Sequence, residues 1–339
     1  MAAQGDIRRW AERRGSDIGR WLRQGLLCLL LALALPVAAQ EGAPPLRDYA
    51  IDVWTSRNGL PHNSLRDIAQ TPEGHLWFAT WEGLVRYNGL DFTVFDRSTR
   101  PGLRDNGIGA LFVDRQGGLW ISDSRGNVSH RGSDGQWRVW EHQADTPQVL
   151  IQAMQMDSQG RLWLLYEGKG LGYLTPDGGM VFETPPPGLP VAMSFTKLVV
   201  DAQDRVWIGT LDGLLLRDTD GDMKRAPPGW GVGSGLSWPY RAPDGALWIV
   251  AGERLYRVED DRLVLVHRLP GQLHMTAMLQ DRHGDIWLGT ENQGLLRISA
   301  HGMERLPAGL NLPGGRVVSL REDAEGSIWV GANGGLYRL

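Results

Sequence analysis

One tryptophan motif recurs seven times along the chain and limits the fold more than any other feature. In each copy a turn of the DxxG type precedes an aliphatic residue, the tryptophan, an apolar residue and a glycine-containing turn. Successive copies lie 39 to 44 residues apart. The tryptophans are Trp77, Trp120, Trp163, Trp207, Trp248, Trp287 and Trp329. A glycine-rich repeat of roughly 40 to 45 residues predicts an all-β fold, a single seven-bladed β-propeller of four-stranded blades.

The first copy shows how one blade divides into strands. Turn signals at Pro72-Glu73-Gly74 and Asn88-Gly89 separate short runs of apolar and β-branched residues. The predicted strands are Leu65–Gln70, Leu76–Thr80, Leu84–Tyr87 and Phe92–Phe95.

The two ends of the repeat region predict how the ring closes. The seventh copy, Arg316–Leu339, stops after its third strand, whereas Tyr49–Trp54 parallels the fourth strand of the first copy. An unclosed ring would leave exposed sheet edges. We therefore expect the N-terminal strand to complete the last blade, which makes residues 48–339 the propeller.

Residues 1–39 have the organisation of a signal peptide. Six arginines precede an apolar run, Gly25–Leu35, and small residues follow at Val37-Ala38-Ala39. The apolar run is shorter than the ~20 residues that a spanning helix needs. We expect cleavage and a periplasmic protein with a short linker at residues 40–47; the alternative is an uncleaved anchor in the inner membrane.

The net charge and the cysteine content limit the kinds of partner and bond that the chain can have. Without residues 1–39 the chain has 29 basic and 36 acidic residues, a net charge of −7, which argues against nucleic acid or an anionic membrane as the main partner. The one cysteine, Cys28, would be removed with the signal peptide, so no disulfide is expected. No membrane insertion is expected after cleavage.

The repeats resemble the two component regulator propeller family. Gly59–Asn63 and Trp207–Leu214 are similar to its GLPxN and LWIGTxxGL segments, and the resemblance covers nearly everything after residue 45. The resemblance implies the periplasmic sensor region of a histidine kinase or diguanylate cyclase receptor, which in some members recognises glycans or nutrients. Unlike such receptors, this sequence contains no second propeller, no immunoglobulin-like domain and no kinase or GGDEF segment.

A ligand-binding face follows from the alternation of strand directions. The turns after the tryptophan strands should share one face with the connections between blades, and they differ from copy to copy as a recognition surface requires. Trp81 and Tyr166 could stack on a sugar or anchor a partner, or pack over the blade edge. The predicted face contains His62, Asn63, Trp81, Glu82, Asp105, Asn106, Asp123, Arg125, Tyr166, Glu167, Lys169, Asp212, Glu253, Glu291, Asn292 and Asn333.

Other conspicuous residues have structural interpretations. The seven motif tryptophans should be core residues that pack between blades, not a carbohydrate-stacking array. The carboxylates of the DxxG turns, including the richest set at Asp218–Asp222, are too few for calcium and fit turn formation. The eight histidines show no close metal-ligand spacing. We expect no metal, no cofactor and no catalytic residue.

Three functions remain open at this point. The first is a ligand-sensing or binding module for a small molecule, glycan or peptide, or for a membrane-bound signalling partner. The second is a protein-interaction scaffold or a truncated receptor remnant. The third is a propeller lyase or hydrolase, in which His62, Glu82 and Glu167 would converge on the central channel.

Overall fold

The computed structural model describes residues 44–98, 102–183, 189, 195–230, 232, 235–271, 273–306 and 315–339. The predicted signal peptide lies outside these residues. The described part contains 28 strands and two short 3-10 turns, Leu46–Asp48 and Pro228–Trp230, and no α-helix. No helix in this part is long and apolar enough to cross a membrane.

Seven antiparallel sheets of four strands form the seven blades, as predicted. Blades 1 to 3 contain β2 (Leu65–Gln70), β3 (Leu76–Thr80), β4 (Gly83–Tyr87), β5 (Phe92–Phe95), β6 (Ile108–Val113), β7 (Leu119–Asp123), β8 (Val128–Arg131), β9 (Trp137–Trp140), β10 (Ile151–Met156), β11 (Leu162–Tyr166), β12 (Gly170–Leu174) and β13 (Met180–Phe182). Blades 4 to 6 contain β14 (Phe195–Val200), β15 (Val206–Thr210), β16 (Gly213–Arg217), β17 (Met223–Arg225), β18 (Ser237–Arg241), β19 (Leu247–Ala251), β20 (Arg254–Glu259), β21 (Arg262–Arg268), β22 (Met275–Gln280), β23 (Ile286–Thr290), β24 (Leu295–Ser299) and β25 (Gly302–Arg305). Blade 7 contains β26 (Val317–Glu322), β27 (Ile328–Ala332), β28 (Gly335–Arg338) and the N-terminal β1 (Asp52–Trp54).

The N-terminal strand closes the ring, which confirms the prediction from the sequence. Val53 of β1 pairs with Tyr337 of β28 in an antiparallel register. Trp54 stacks on the core residue Trp329, with ring centroids 5.3 Å apart. Closure therefore gives blade 7 the same four-stranded sheet as the other six blades.

The motif tryptophans fill the space between blades. Six are buried, while Trp120 is half-buried and stacks against Trp140. One hydrophobic cluster, for example, joins Trp163 of blade 3 to Leu198 and Ile208 of blade 4. Burying such large rings at successive interfaces supplies much of the apolar contact between neighbouring blades.

The carboxylates of the DxxG turns have a second role that the sequence interpretation missed. Each tryptophan indole N–H, except that of blade 5, donates a hydrogen bond of 2.7 to 3.2 Å to the side chain six residues earlier. The acceptors are Asp114, Asp157, Asp201, Asp281 and Asp323, and Thr71 for Trp77. In blade 5 the equivalent residue is Ala242, and the buried indole nitrogen of Trp248 has no hydrogen-bond partner in the described part of the chain.

Polar contacts also join neighbouring blades. Ser158 of blade 3 donates its backbone N–H to the Asp204 carboxylate of blade 4 at 2.9 Å. Arg282 of blade 6 pairs with Glu322 of blade 7 at 2.5 Å and also reaches the Asp323 carbonyl. These contacts hold the blades in a fixed arrangement around the channel.

Candidate functional site

A cavity of about 640 Å³ lies on the propeller axis and is lined mainly by the first strand of most blades. Its volume lies within the roughly 300 to 1,000 Å³ of small-molecule sites. Three residues of the predicted binding face line it: Trp81, Glu291 and Asn333. A second cavity of about 480 Å³ adjoins it further along the axis, near the Thr71-Pro72 turn.

The turns after the tryptophan strands lie beside the connections between blades, as the strand directions require. Backbone N–H groups of these turns donate to carbonyls just before the first strand of the same blade in blades 2, 3, 5, 6 and 7. Glu291, for example, donates to His274 at 2.9 Å, and Asn333 to Arg316 at 3.2 Å. We call this side of the ring, which includes Trp81, Glu291 and Asn333, the connection face. The opposite side carries the DxxG turns and is called the DxxG face.

A repeated irregularity of the backbone lies at the connection-face end of the innermost strands. In six blades the pairing of the first and second strands shifts register within the first residues of the first strand. Such bulges re-aim side chains and are over-represented beside functional sites. Residues at the bulged position that line the cavity are Arg66, Gln152, Thr276 and Val318. The ring therefore presents a different side chain to the channel from each of these blades on a similar backbone.

Arg66 has the most unusual environment of these residues. Its guanidinium carbon lies 4.6 Å from the ring centroid of Trp81, a cation-π distance. Its Nε atom is buried and has no hydrogen-bond partner within the described residues. Burial lowers the pKa of Arg66; nearby Glu167 opposes this shift, and the positive charge of Arg316 adds to it.

The cavity is positively charged although the whole chain is acidic. Five basic and two acidic residues line it. The basic residues are Arg66, Lys197, Arg241, Arg316 and Arg321. The acidic residues are both engaged: Glu291 pairs with Arg316 at 3.1 Å, and Asp67 accepts the backbone N–H groups of Ile68 and Leu111 at 2.9 Å.

The sequence interpretation missed Arg66, Lys197 and Arg316. A signal was present for Lys197, because it is the one charged residue of β14, a strand that is otherwise largely apolar. In a propeller the first strand of each blade borders the channel, so a charge there faces the axis rather than the core between blades.

Tyr166 is a correction to the predicted face. It is the last residue of β11 and is 0% exposed, packed edge-on against Phe182. Burial strongly raises the pKa of its hydroxyl, which has no hydrogen-bond partner among the residues that the structure describes. Tyr166 occupies the position of Thr80 in blade 1, and only the residue after it enters the turn. It is therefore a core residue.

Asp123 also lies inside the fold. Its carboxylate accepts hydrogen bonds from the backbone N–H groups of Arg125 and Asn127 and from the Asn127 amide. Burial raises the pKa of Asp123. This carboxylate holds its own turn together, and Asp123 is not among the residues that line the cavity.

The remaining predicted residues lie on the surface outside the cavity lining. Asp105 pairs with Arg125 at 2.9 Å. Asp212 pairs with Arg225 at 3.2 Å. The half-buried members are His62, Asn63, Asp105 and Asn106. The exposed members are Glu82, Arg125, Glu167, Lys169, Asp212, Glu253 and Asn292.

From the sequence we expect no metal site, either among the histidines or in the acidic DxxG turns. Within the described residues no group of three or more His, Cys, Asp or Glu side chains could hold a metal ion. Asp218, in the richest acidic turn, pairs with Lys224 at 2.8 Å, and its carboxylate accepts the Asp222 backbone N–H at 2.9 Å. Of the histidines, His274 lines the cavity and His62 does not.

Solved structures share the fold at low sequence identity. The extracellular domain assigned to the hybrid two component system BT3049 from B. thetaiotaomicron matches with a TM-score of 0.70 and 20% identity, over 86% of this chain and 41% of that one. The extracellular domain of BT4673 from the same organism matches with a TM-score of 0.66 and 17% identity, over 85% of this chain and 40% of that one. This chain thus spans about two fifths of the length of these domains.

A lyase shares the fold as well. A catalytically inactive variant of virginiamycin B lyase from Staphylococcus aureus, solved with quinupristin, matches with a TM-score of 0.67 and 14% identity, over 85% of this chain and 98% of that one. No curated protein sequence matches this one. These likenesses therefore establish the fold alone.

A family model matches four of the repeats. The model of the two component regulator propeller matches residues 59–82, 102–125, 268–292 and 311–334. These segments contain the tryptophan strands of blades 1, 2, 6 and 7. The chain therefore carries two component regulator propeller repeats in four of its seven blades.

Proposed function

We propose that this chain is a ligand-sensing or binding propeller that serves a two-component or cyclic-di-GMP type signalling system. The ligand is a small molecule, a glycan fragment or a peptide, held over the connection-face end of the channel. The bulged position of the first strand carries the proposal, because a repeated backbone feature there presents Arg66, Gln152, Thr276 and Val318 to a cavity of ligand size.

The family repeats support the signalling context. Extracellular domains of two component systems share this fold, and the first 39 residues have the features of a signal peptide. We therefore place the protein in the periplasm, where it would meet ligands from outside the cell and pass on their presence to a membrane-bound partner.

A ligand screen by thermal shift tests this function on the purified protein. The probes are neutral and acidic oligosaccharides, amino acids and short peptides. A ligand that binds only the folded ring raises the melting temperature in proportion to the logarithm of its concentration once binding saturates. We expect at least one probe class to do so.

Matched variants locate the binding. Trp81 lines the cavity and is 42% exposed, whereas Leu90 is 86% exposed on the hairpin between β4 and β5, on the DxxG face. Trp81→Ala should weaken binding of the screened probe about tenfold or more. Leu90→Ala should leave it unchanged. Equal losses in both variants, no binding by any probe, or turnover of the bound probe would contradict the proposed function.

A further inference from the structure

We propose that the ligand is an anion whose carboxylate or phosphate group binds the Arg66 guanidinium at the connection-face end of the channel, with Lys197 and Arg316 around it. This inference rests on the proposed function and adds the chemical class of the ligand. Three conditions must hold. The cavity must contain positive charge that no acidic residue neutralises, and this charge must destabilise the protein when no ligand is bound. Room for the rest of the ligand must lie beside it.

The positive charge at the cavity is only partly neutralised. Arg316 has Glu291 as its partner, and Asp67 is committed to backbone N–H groups and to the Ser319 hydroxyl. Arg66 and Lys197 form no ion pair within the described residues. Blades 1 and 4 carry these two cations, and both line the same cavity. An anion entering the channel would therefore meet two cations that form no ion pair with the described part of the chain.

Arg66 is held in place before any ligand arrives. Its guanidinium carbon lies over the Trp81 ring, 4.6 Å from the ring centroid, and the β2 register shifts at this residue. A guanidinium over an aromatic ring can still donate the two parallel hydrogen bonds that carboxylate and phosphate oxygens accept.

The empty cavity is unfavourable for this charge. Among the described residues the buried Nε–H group of Arg66 has no acceptor, and the positive charge of Arg316 adds to the cost of burying the guanidinium, which the negative charges of Glu167 and Asp67 partly offset. Burial accordingly lowers the pKa of Arg66. A buried donor without a partner destabilises the fold, and an anion that supplied the acceptor would reverse this effect.

Apolar surface beside the charges indicates the rest of the ligand. Trp81 and Leu211 line the cavity and are 42% and 54% exposed. Both are large hydrophobic side chains that a bound molecule could cover. The site therefore fits an anion that also carries a ring or an aliphatic face, and a small anion without that face should still bind the arginine, but more weakly.

The experiment compares melting temperatures of the wild type, Arg66→Met and Arg115→Met. Methionine keeps an unbranched apolar chain over Trp81 but removes the charge. Arg115 is an exposed arginine in a DxxG turn, so its variant has the same net charge without altering the cavity. Each protein is measured in chloride, in inorganic phosphate and in citrate at constant ionic strength, since citrate supplies carboxylates and phosphate does not. Lys197→Met provides a second variant of the site.

We expect Arg66→Met to melt about 1 to 3 °C higher than the wild type in chloride, because the unpaired charge is gone. Arg115→Met should match the wild type. Citrate or phosphate should raise the melting temperatures of the wild type and Arg115→Met by at least about 2 °C more than that of Arg66→Met, with Lys197→Met in between. General stabilisation by these salts affects all four proteins and cancels in the differences.

Equal gains in the wild type and Arg66→Met would overturn the anion site, and so would a ligand-free Arg66→Met that melts below the wild type. These outcomes are distinct from failure of the proposed function. A neutral probe that binds the wild type and Arg66→Met equally would leave a binding propeller and overturn only the anionic class of its ligand. Absence of binding by every probe in the screen would contradict the proposed function itself.

Discussion

The two faces of the ring are built in opposite ways. On the DxxG face the same hydrogen bond recurs, with a side chain six residues before the tryptophan accepting from its indole in six blades. On the connection face the backbone repeats, but the residue presented to the channel changes from Arg66 to Gln152, Thr276 and Val318. Repetition of side chains thus marks the structural face, and variation on a repeated backbone marks the face that can recognise a ligand.

Of the substitutions that this comparison suggests, removal of a DxxG carboxylate should reduce the stability of the protein most. Asp323 accepts the backbone N–H groups of Glu325 and Ser327 and, at 2.7 Å, the indole N–H of the buried Trp329. Asp323→Ala leaves these donors without their partner and should lower the free energy of unfolding by about 3 kcal/mol. Equilibrium unfolding in urea, followed by tryptophan fluorescence, measures the change.

The same substitution on the connection face provides the control. Asp212 is exposed and pairs with the exposed Arg225. Asp212→Ala should change the free energy of unfolding by about 0.5 kcal/mol or less, since surface ion pairs contribute little. Comparable losses in the two variants would show that the faces do not differ as described.

Blade 5 offers a gain of stability, because it lacks the acceptor that the other blades have. Ala242→Asp should place a carboxylate within reach of the unpartnered Trp248 indole and raise the free energy of unfolding by about 1 kcal/mol. The Ala242 turn has the same backbone hydrogen bonds as the Asp281 turn, with N···O distances of 2.9 to 3.0 Å in both. Thermal unfolding of the variant and the wild type shows whether the substitution raises or lowers the stability.

A double-mutant cycle shows whether the indole is responsible. In a Trp248→Phe background the added carboxylate has no N–H to accept from, so the gain from Ala242→Asp should disappear. A gain that persisted in this background would have to come from the turn alone, and the proposed role of the carboxylate in blade 5 would be wrong.

The smallest effect concerns two buried tyrosines. Within the described ranges the Tyr166 hydroxyl has no hydrogen-bond partner, whereas the Tyr87 hydroxyl donates to the Gly89 carbonyl at 2.7 Å. Tyr166→Phe should raise the free energy of unfolding by roughly 0.5 to 1 kcal/mol, and Tyr87→Phe should lower it by a similar amount. Tyr166→Phe should also leave ligand binding unchanged. Weaker binding in that variant would show that Tyr166 belongs to the ligand-binding face after all.

Much of the fold could be predicted from the sequence, because the motif repeats with the blade. In the first copy β2, β3 and β5 have the predicted bounds, and β4 begins one residue earlier, at Gly83. The closing strand was predictable because the seventh copy stops after three strands. The bond from each DxxG side chain to its tryptophan could also have been found, since an Asp precedes the tryptophan by six residues in five copies.

The site was less accessible to sequence reasoning. A bulge depends on the register between two strands, so the position of Arg66 cannot be read from β2 alone. Assigning Tyr166 to the turn was wrong by one residue, and in a strand one residue reverses the direction of the side chain. A charged residue in the first strand of a blade can face the neighbouring blade or the channel axis. The geometry of the ring decides between the two, and the local sequence pattern does not.

Hydrogen–deuterium exchange of the purified protein, with and without a ligand identified by the thermal-shift screen, tests the central claim most directly. The account predicts slower exchange in peptides that contain the start of β2 around Arg66 and the turn at Trp81-Glu82, with no change in the DxxG turns. Protection confined to the DxxG turns or to the outer strands, such as β21, would contradict it.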